Sequence, residues 1–402
     1  MTTQHPTPTA EDIVIVGAAR TPQGKLKGQL SSFSASDLGA IAIQGALTQS
    51  GVSPEQVDYL IMGQVVLAGA GQNPARQAAR KAGLPWNMPS EIVNKVCLSG
   101  LTAINNAARM LRLGEVKLII AGGQESMTNA PHLLLGSRFG WSYGSFEAVD
   151  SLNHDALIDS FDEVTMGCLT DQHVAPLGIT REEQDEFSYQ SHHRAAAATE
   201  AGVFRAEIAP VTIPQRKGDP VVMTADEGIR ADTTVEGLAR LKPAFVIDGT
   251  ITAGSASQLS DGAAAVVLTT RSYAETLGLT VLATLGAAGQ VAGPDNSLPS
   301  QPSNAIKQAL AKQQWESSDL DLVEINEAFA AVGIQSTKDL GLDSERVNVH
   351  GGGIAVGHPV GASGARLVVH LAHQLAERGS GSKAAAALCG GGGQGEALLL
   401  WN

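Results

Sequence analysis

Aromatic residues make up only 4% of the 402 residues and charged residues only 17%, while 43% are hydrophobic. That balance excludes a disordered chain and a charge-flanked coiled coil. Cysteine is nearly missing: Cys97, Cys168 and Cys389 stand far apart and form no CxxC pair. Neither a disulfide framework nor a zinc site is suggested, and a reducing cytoplasm fits best. Basic residues are in deficit, 27 against 40 acidic ones for a formal charge of −13, which opposes binding to nucleic acid or an anionic bilayer. The apolar runs, such as Ile13–Ala19 and Leu118–Ala121, fall far short of the roughly 20 residues a bilayer span needs. The opening MTTQHPTPTAED has no basic or apolar targeting character, so no leader is expected.

What is present is aliphatic and glycine-rich. At roughly 150 residues per domain the length implies two or three domains. Glycine supplies 45 residues, about 11% against an average near 7%. Ala, Val, Leu and Ile favour helix-on-sheet layers, and glycine marks tight turns between strands and helices. Residues 12–19 read as a buried strand and 34–51 as a capped helix, followed by a strand at 57–66, a helix at 98–113 and a strand at 116–121. The last third repeats the order, with strands near 281–285, 320–325, 384–388 and 396–401 and helices from 303 and over 365–376. Ser53-Pro-Glu-Gln-Val-Asp-Tyr-Leu-Ile and Ser318-Asp-Leu-Asp-Leu-Val-Glu-Ile place the same acidic turn before a strand in each half. An internal duplication of a β-α module explains the pattern.

The halves are unlike the stretch between them. Residues 127–258 have longer loops and one well-signalled helix, begun by a Thr180/Glu183 capping box and ended by Gly202. Within it, Arg205–Lys242 holds six basic and six acidic residues, neutral inside an acidic chain. An insertion over a site has this character.

Four loops hold the residues suited to chemistry. Cys97, in Asn94-Lys-Val-Cys-Leu-Ser-Gly100, precedes a helix whose N-terminal N–H groups would lower its pKa; it is either a nucleophile or a packed thiol. His358, in a Gly/Pro-rich loop, holds the corresponding place in the second half, so pseudo-twofold packing would bring it to Cys97 as a general base; alternatively it caps a turn. Cys389 ends a strand before four glycines, which suits an oxyanion hole or an ordinary glycine hairpin beside a core thiol. Asn326, in Asn326-Glu-Ala-Phe-Ala330, stands at a strand's carboxyl end and could hold a water or cap a helix. The glycine run matches GxGxxG but opens no helix, which rules out a dinucleotide fold. His192 and His193 read as solvated, and Cys168 as core.

Taken together and in order, NKVCLSG, NEAFA, GHPVGASG and CGGGGQG, with IVIVGAARTP and AGGQESM, resemble the thiolases over about residues 12–400. The likeness is nearest to the short-chain members. It implies duplicated βαβαβαββ halves forming a five-layered α-β-α-β-α core with an inserted loop domain. Residues 1–126, completed by about 259–280, would form the first half, 127–258 the loop domain and 281–402 the second half. It further implies reversible condensation of two acetyl-CoA to acetoacetyl-CoA and CoA, by ping-pong transfer through acetyl-Cys97. His358 would activate the nucleophile and Cys389 would move the α-proton. Backbone N–H of Cys97 and Gly391 would form one oxyanion hole, His358 and a water on Asn326 the other. Ser257, Arg230, Met166 and Phe329 would contact substrate or CoA. No cofactor or metal is implied, and a cytoplasmic homotetramer, joined through residues 127–146, is expected. Thr165, Gln258 and Leu98 depart from the usual short-chain residues. A broader degradative 3-ketoacyl-CoA thiolase therefore stays open, with a non-catalytic acyl-CoA binder as the distant alternative.

Overall fold

The computed structural model describes residues 7–402, so the first six residues of the polar N-terminal segment lie outside the described residues. Among the described residues the main sheet has ten strands, the two-residue Gly24–Lys25 and β1 (Ile13–Arg20), β2 (Tyr59–Gly63), β3 (Ser90–Val93), β4 (Leu118–Ser126), β5 (Ser260–Thr270), β6 (Ala283–Ala292), β7 (Leu322–Ile325), β8 (Lys383–Gly390) and β9 (Gln394–Trp401). The helices that matter to the site are α1 (Ala35–Ser50), α2 (Pro74–Lys81), α3 (Ser99–Arg112), α4 (Met166–Val174), α5 (Arg181–Ala201), α6 (Gln301–Gln313), α7 (Ala330–Leu340) and α8 (Ser363–Arg378).

Strand order is β7-β8-β9-β6-β1-β5-β4-β2-β3, with Gly24–Lys25 adding to the end of β5. The duplication is visible in it. In the first half β1-β5-β4 is antiparallel and β4-β2-β3 parallel; in the second, β6-β9-β8 is antiparallel and β8-β7 parallel. The counterpart of β3 shrinks to a single parallel bridge from Val323 to Val347. The halves meet edge to edge through just two register pairs of β1 and β6, Val14 with Thr284 and Ile15 with Ala283.

Period-two side chains turn this sheet into layers. Ile13, Ile15, Val266, Leu268, Leu388 and Leu398 face inward onto Leu101, Ile104, Leu367 and Leu371 of α3 and α8. On the opposite faces, Val14, Val16 and Val267 pack on Leu38 and Ile43 of α1, and Ala385, Ala387 and Leu399 on Ile306 and Val332 of α6 and α7. Helices lie outside, sheet halves between, and α3 with α8 at the centre. The five-layered α/β fold expected from the sequence is what forms.

Several boundaries differ from the expectation. Strand β4 runs on to Ser126, where Gly122 and Gly123 tolerate close neighbours, and β6 runs on to Ala292, its N–H and C=O groups continuing to pair with β9. The segment between β4 and β5 docks through buried charge: Arg20 of β1 bonds Glu207 Oε1 at 2.7 Å and Asp226 Oδ1 at 2.7 Å, and Glu207 Oε2 meets His370 Nδ1 of α8 at 2.8 Å. Those cations hold the Glu207 carboxyl far below the usual range despite burial. Among the described residues no helix is long and apolar enough to cross a membrane.

Candidate active site

Cys97 ends the turn ahead of α3, and His358 sits in the loop ahead of α8. The two helix starts touch backbone to backbone. A Cβ on Gly100 would lie 2.9 Å from both the Ala365 nitrogen and the Gly361 oxygen, and one on Gly364 2.6 Å from the Leu101 nitrogen. Only glycine permits this approach, so the duplicated helices deliver their two leading loops to one place.

Cys97, His358, Cys389, Gly391, Ser257, Met166 and Phe329 line a single narrow cavity of about 60 Å³, closed by Val96, Leu157, Leu298 and Val360. Asn326, which follows β7, does not itself line the cavity but stands against His358, its Nδ2 3.3 Å from Nε2, while its buried Oδ1 has no protein partner. The helix-cap alternative for Asn326 is therefore overturned: α7 starts at Ala330 with Phe329 in the cap position. Arg230 is not brought into the cavity. It is exposed on the segment between β4 and β5, where its backbone N–H donates to His192 Nδ1 at 3.2 Å. A roomier cavity of about 610 Å³ lies apart, between α5 and α7, and contains none of these groups.

Burial governs the protonation states. The Cys97 thiol is pushed up to about 11 by desolvation, only partly opposed by the backbone N–H groups of Cys97 and Gly391. This corrects the expectation of a helix-lowered thiol: removal of water from the thiolate outweighs the helix end. His358 moves the other way, down to about 4, through desolvation and the nearby Arg366 cation. Cys389 is raised further still by burial and by the neighbouring Cys97. At neutral pH the site thus holds two thiols beside a neutral imidazole.

Ser363 sets that imidazole's orientation. Its hydroxyl donates to the Pro359 carbonyl at 3.1 Å, which leaves its oxygen to accept from His358 Nδ1 at 2.6 Å and makes Nε2 the unprotonated nitrogen, facing Asn326 Nδ2 at 3.3 Å. Sequence reading passed over this serine and also Glu125. The Glu125 carboxylate, fully buried at the end of β4, accepts from Val65 and Gly361 N–H, both at 2.9 Å, and from Val66 N–H at 3.2 Å. It fixes the His358 loop against the first half, and burial raises it to about 7. Gln124-Glu125-Ser126 reads as a polar stretch beyond the apolar run ending at Ala121, so the sequence carried no signal for it.

Other readings are corrected as well. His192 is buried rather than solvated and His193 Nε2 meets the Thr233 carbonyl at 2.9 Å, because α5 is covered by the segment around Arg230. Cys168 is half-buried, not core. None of the three departing residues lines the cavity. Leu98 is fully buried against Gly390, Thr165 caps α4, and Gln258 Nε2 donates to the Gly228 and Ile354 carbonyls at 3.0 and 2.9 Å.

Comparison with known proteins decides the family. Residues 13–272 match the family model "Thiolase, N-terminal domain" and residues 279–402 match "Thiolase, C-terminal domain". The chain belongs to the thiolase family. It is an acyltransferase of that family. It is 58% identical over 387 residues to a probable acetyl-CoA acetyltransferase of Mycolicibacterium smegmatis, covering 96% of this chain and 100% of that one. It is likewise 58% identical to a probable acetyl-CoA acetyltransferase of Mycobacterium tuberculosis, with 96% and 98% covered. The acetyl-CoA acetyltransferase of Cupriavidus necator is 49% identical over 389 residues, with 97% and 99% covered. This thiolase therefore aligns with those relatives over nearly its whole length.

Proposed function

We propose that this thiolase is an acetyl-CoA C-acetyltransferase, condensing two acetyl-CoA to acetoacetyl-CoA and CoA and running the reverse thiolysis. The observation that carries it is one 60 Å³ cavity holding both thiols and the imidazole, room for only a few heavy atoms of acyl chain. The relatives' names support the same substrate.

The steps follow from the protonation states. His358 Nε2 takes the Cys97 proton as sulfur attacks the acetyl-CoA carbonyl carbon. The tetrahedral oxyanion is met by N–H of Cys97 and Gly391. CoA leaves with the Cys389 proton, giving acetyl-Cys97 and a Cys389 thiolate beside the imidazolium. That thiolate removes the α-proton of a second acetyl-CoA, while His358 Nε2–H and a water on Asn326 stabilise the enolate oxygen. The enolate carbon attacks acetyl-Cys97, whose sulfur leaves and regains its proton from His358. No metal or redox cofactor enters the scheme. Ser257 and Met166 would flank the thioester and Phe329 the acyl chain, with Arg230 toward the outer end of CoA. Both sulfurs must be free thiols, which fits the reducing cytoplasm.

The test is thiolysis of acetoacetyl-CoA against a long-chain 3-ketoacyl-CoA at matched concentrations. Strong preference for acetoacetyl-CoA is expected; comparable rates would move the assignment to a degradative thiolase, and no activity on either would favour a binding protein. The acetylation rate of Cys97 by acetyl-CoA should agree within about twofold at pH 5.5 and 7.5, whereas an imidazole at the ordinary 6.5 would lose about tenfold. The same lowered pKa makes protonation favour the unfolded chain. Its contribution to stability is full above about 6.5 and is lost as pH falls toward 4.

Self-association as a homotetramer belongs to the same reading. Its support is the apolar stretch with Leu135, Phe139, Tyr143 and Phe146 exposed, Tyr143 fully. A monomer mass by light scattering would refute it.

A further inference from the structure

Val96 holds φ 50° one residue before the nucleophile. Among the described residues with positive φ other than glycine, it alone is β-branched, and such a side chain crowds its own backbone there. Local bonds shape the turn: Asn94 Oδ1 accepts from Val96 N–H at 3.1 Å, and Ser99 Oγ accepts from Lys95 N–H at 2.8 Å while donating to the Val96 carbonyl at 2.6 Å. All three lie within the turn itself, so none anchors it to the second half.

One contact does. Lys95 Nζ pairs at 3.0 Å with Glu396 Oε2 of β9, whose side chain is fully buried. That carboxylate is already fixed by Thr102 Oγ1 at 2.5 Å and by Asn105 Nδ2 and Gln290 Nε2 at 2.7 Å each. A lysine on a mobile surface carboxylate would restrain little, but here the anchor cannot move.

We propose that the Lys95–Glu396 pair tethers the strained Cys97 turn to the opposite half, making Lys95 and Glu396 positioning residues for acyl transfer. The proposal rests on the reading of Cys97 as nucleophile. With the tether cut, Val96 relaxes toward ordinary backbone and carries the Cys97 sulfur off the line to the thioester carbon. Misplacement by about 1 Å costs on the order of a hundredfold in rate.

The test measures acetylation of Cys97 by acetyl-CoA in the full-length protein, by rapid quench and peptide mass spectrometry. Lys95→Met should slow it at least about tenfold with KM for acetyl-CoA changed less than about twofold, and Lys95→Arg should keep most of the rate. Glu396→Gln, which keeps the side chain's shape, should reproduce the loss and stands in should Lys95→Met fail to fold. Because glycine adopts φ 50° without strain, Lys95→Met made in the Val96→Gly background should cost less than about twofold relative to Val96→Gly alone. Wild-type rates in Lys95→Met, or equal losses in both backgrounds, overturn the tether alone. Absence of acetyl on Cys97 in the unsubstituted protein overturns the nucleophile reading and the tether with it.

Discussion

Replacing Cys97 by serine lowers turnover by at least about 10⁴-fold, the range seen when a covalent nucleophile is removed. The substitution changes one atom in a half-buried position, so folding is little affected. What changes is the proton transfer. His358, held neutral near 4, can draw a proton from a thiol raised to about 11, but an alcohol in the same dry site is several units harder to ionise. The oxyanion donors remain, which bounds the residual rate. Steady-state thiolysis of acetoacetyl-CoA together with the melting temperature checks this. A variant within tenfold of the parent, at equal stability, would show that no acyl-Cys97 lies on the path.

Cys389→Ala separates the two halves of the cycle. Acetylation of Cys97 asks of Cys389 only the proton that follows the departing CoA, and a thiolate leaves without one, so radiolabel from acetyl-CoA still reaches Cys97. Condensation and thiolysis both pass through the enolate, and losing the group that moves its proton costs about 10²–10⁴-fold. Cys389 is buried in the outer core layer with Ala387 and Leu399, so truncating it also costs stability, about 1 kcal/mol for the small void left. Equal loss of acetylation and condensation would instead mean that the Cys389 proton is indispensable to the first step, or that the cavity has collapsed.

The layering was legible because it is written in apolar periodicity. Alternation along β1, β5, β8 and β9 sets which residues face α3 and α8, and the repeated acidic turn before β2 and β7 betrays the duplication. The cavity residues were legible for a related reason. Cys97 and His358 each lead a central helix, so a pseudo-twofold places them together, and Gly100 with Gly364 lets them come close. Protonation was not legible. Sequence shows a helix N-terminus but not the removal of water, and it is desolvation that sets the Cys97 thiol. Glu125, Ser363 and the Lys95–Glu396 pair were hidden because each acts through a partner distant in the chain or through a single hydrogen atom's direction. His192 failed for the same reason: a polar helix face reads as solvated until the loop covering it is known.

The central claim is that acyl transfer passes through Cys97, the one sulfur that carries the acetyl group. Acid quench of the protein mixed with acetyl-CoA alone, followed by peptide mass spectrometry, tests it most directly. An acetyl group on the Cys97 peptide, discharged by added CoA, is the expected result. Acetyl on Cys389 or Cys168 instead, or turnover with no acetylated peptide at all, would contradict it.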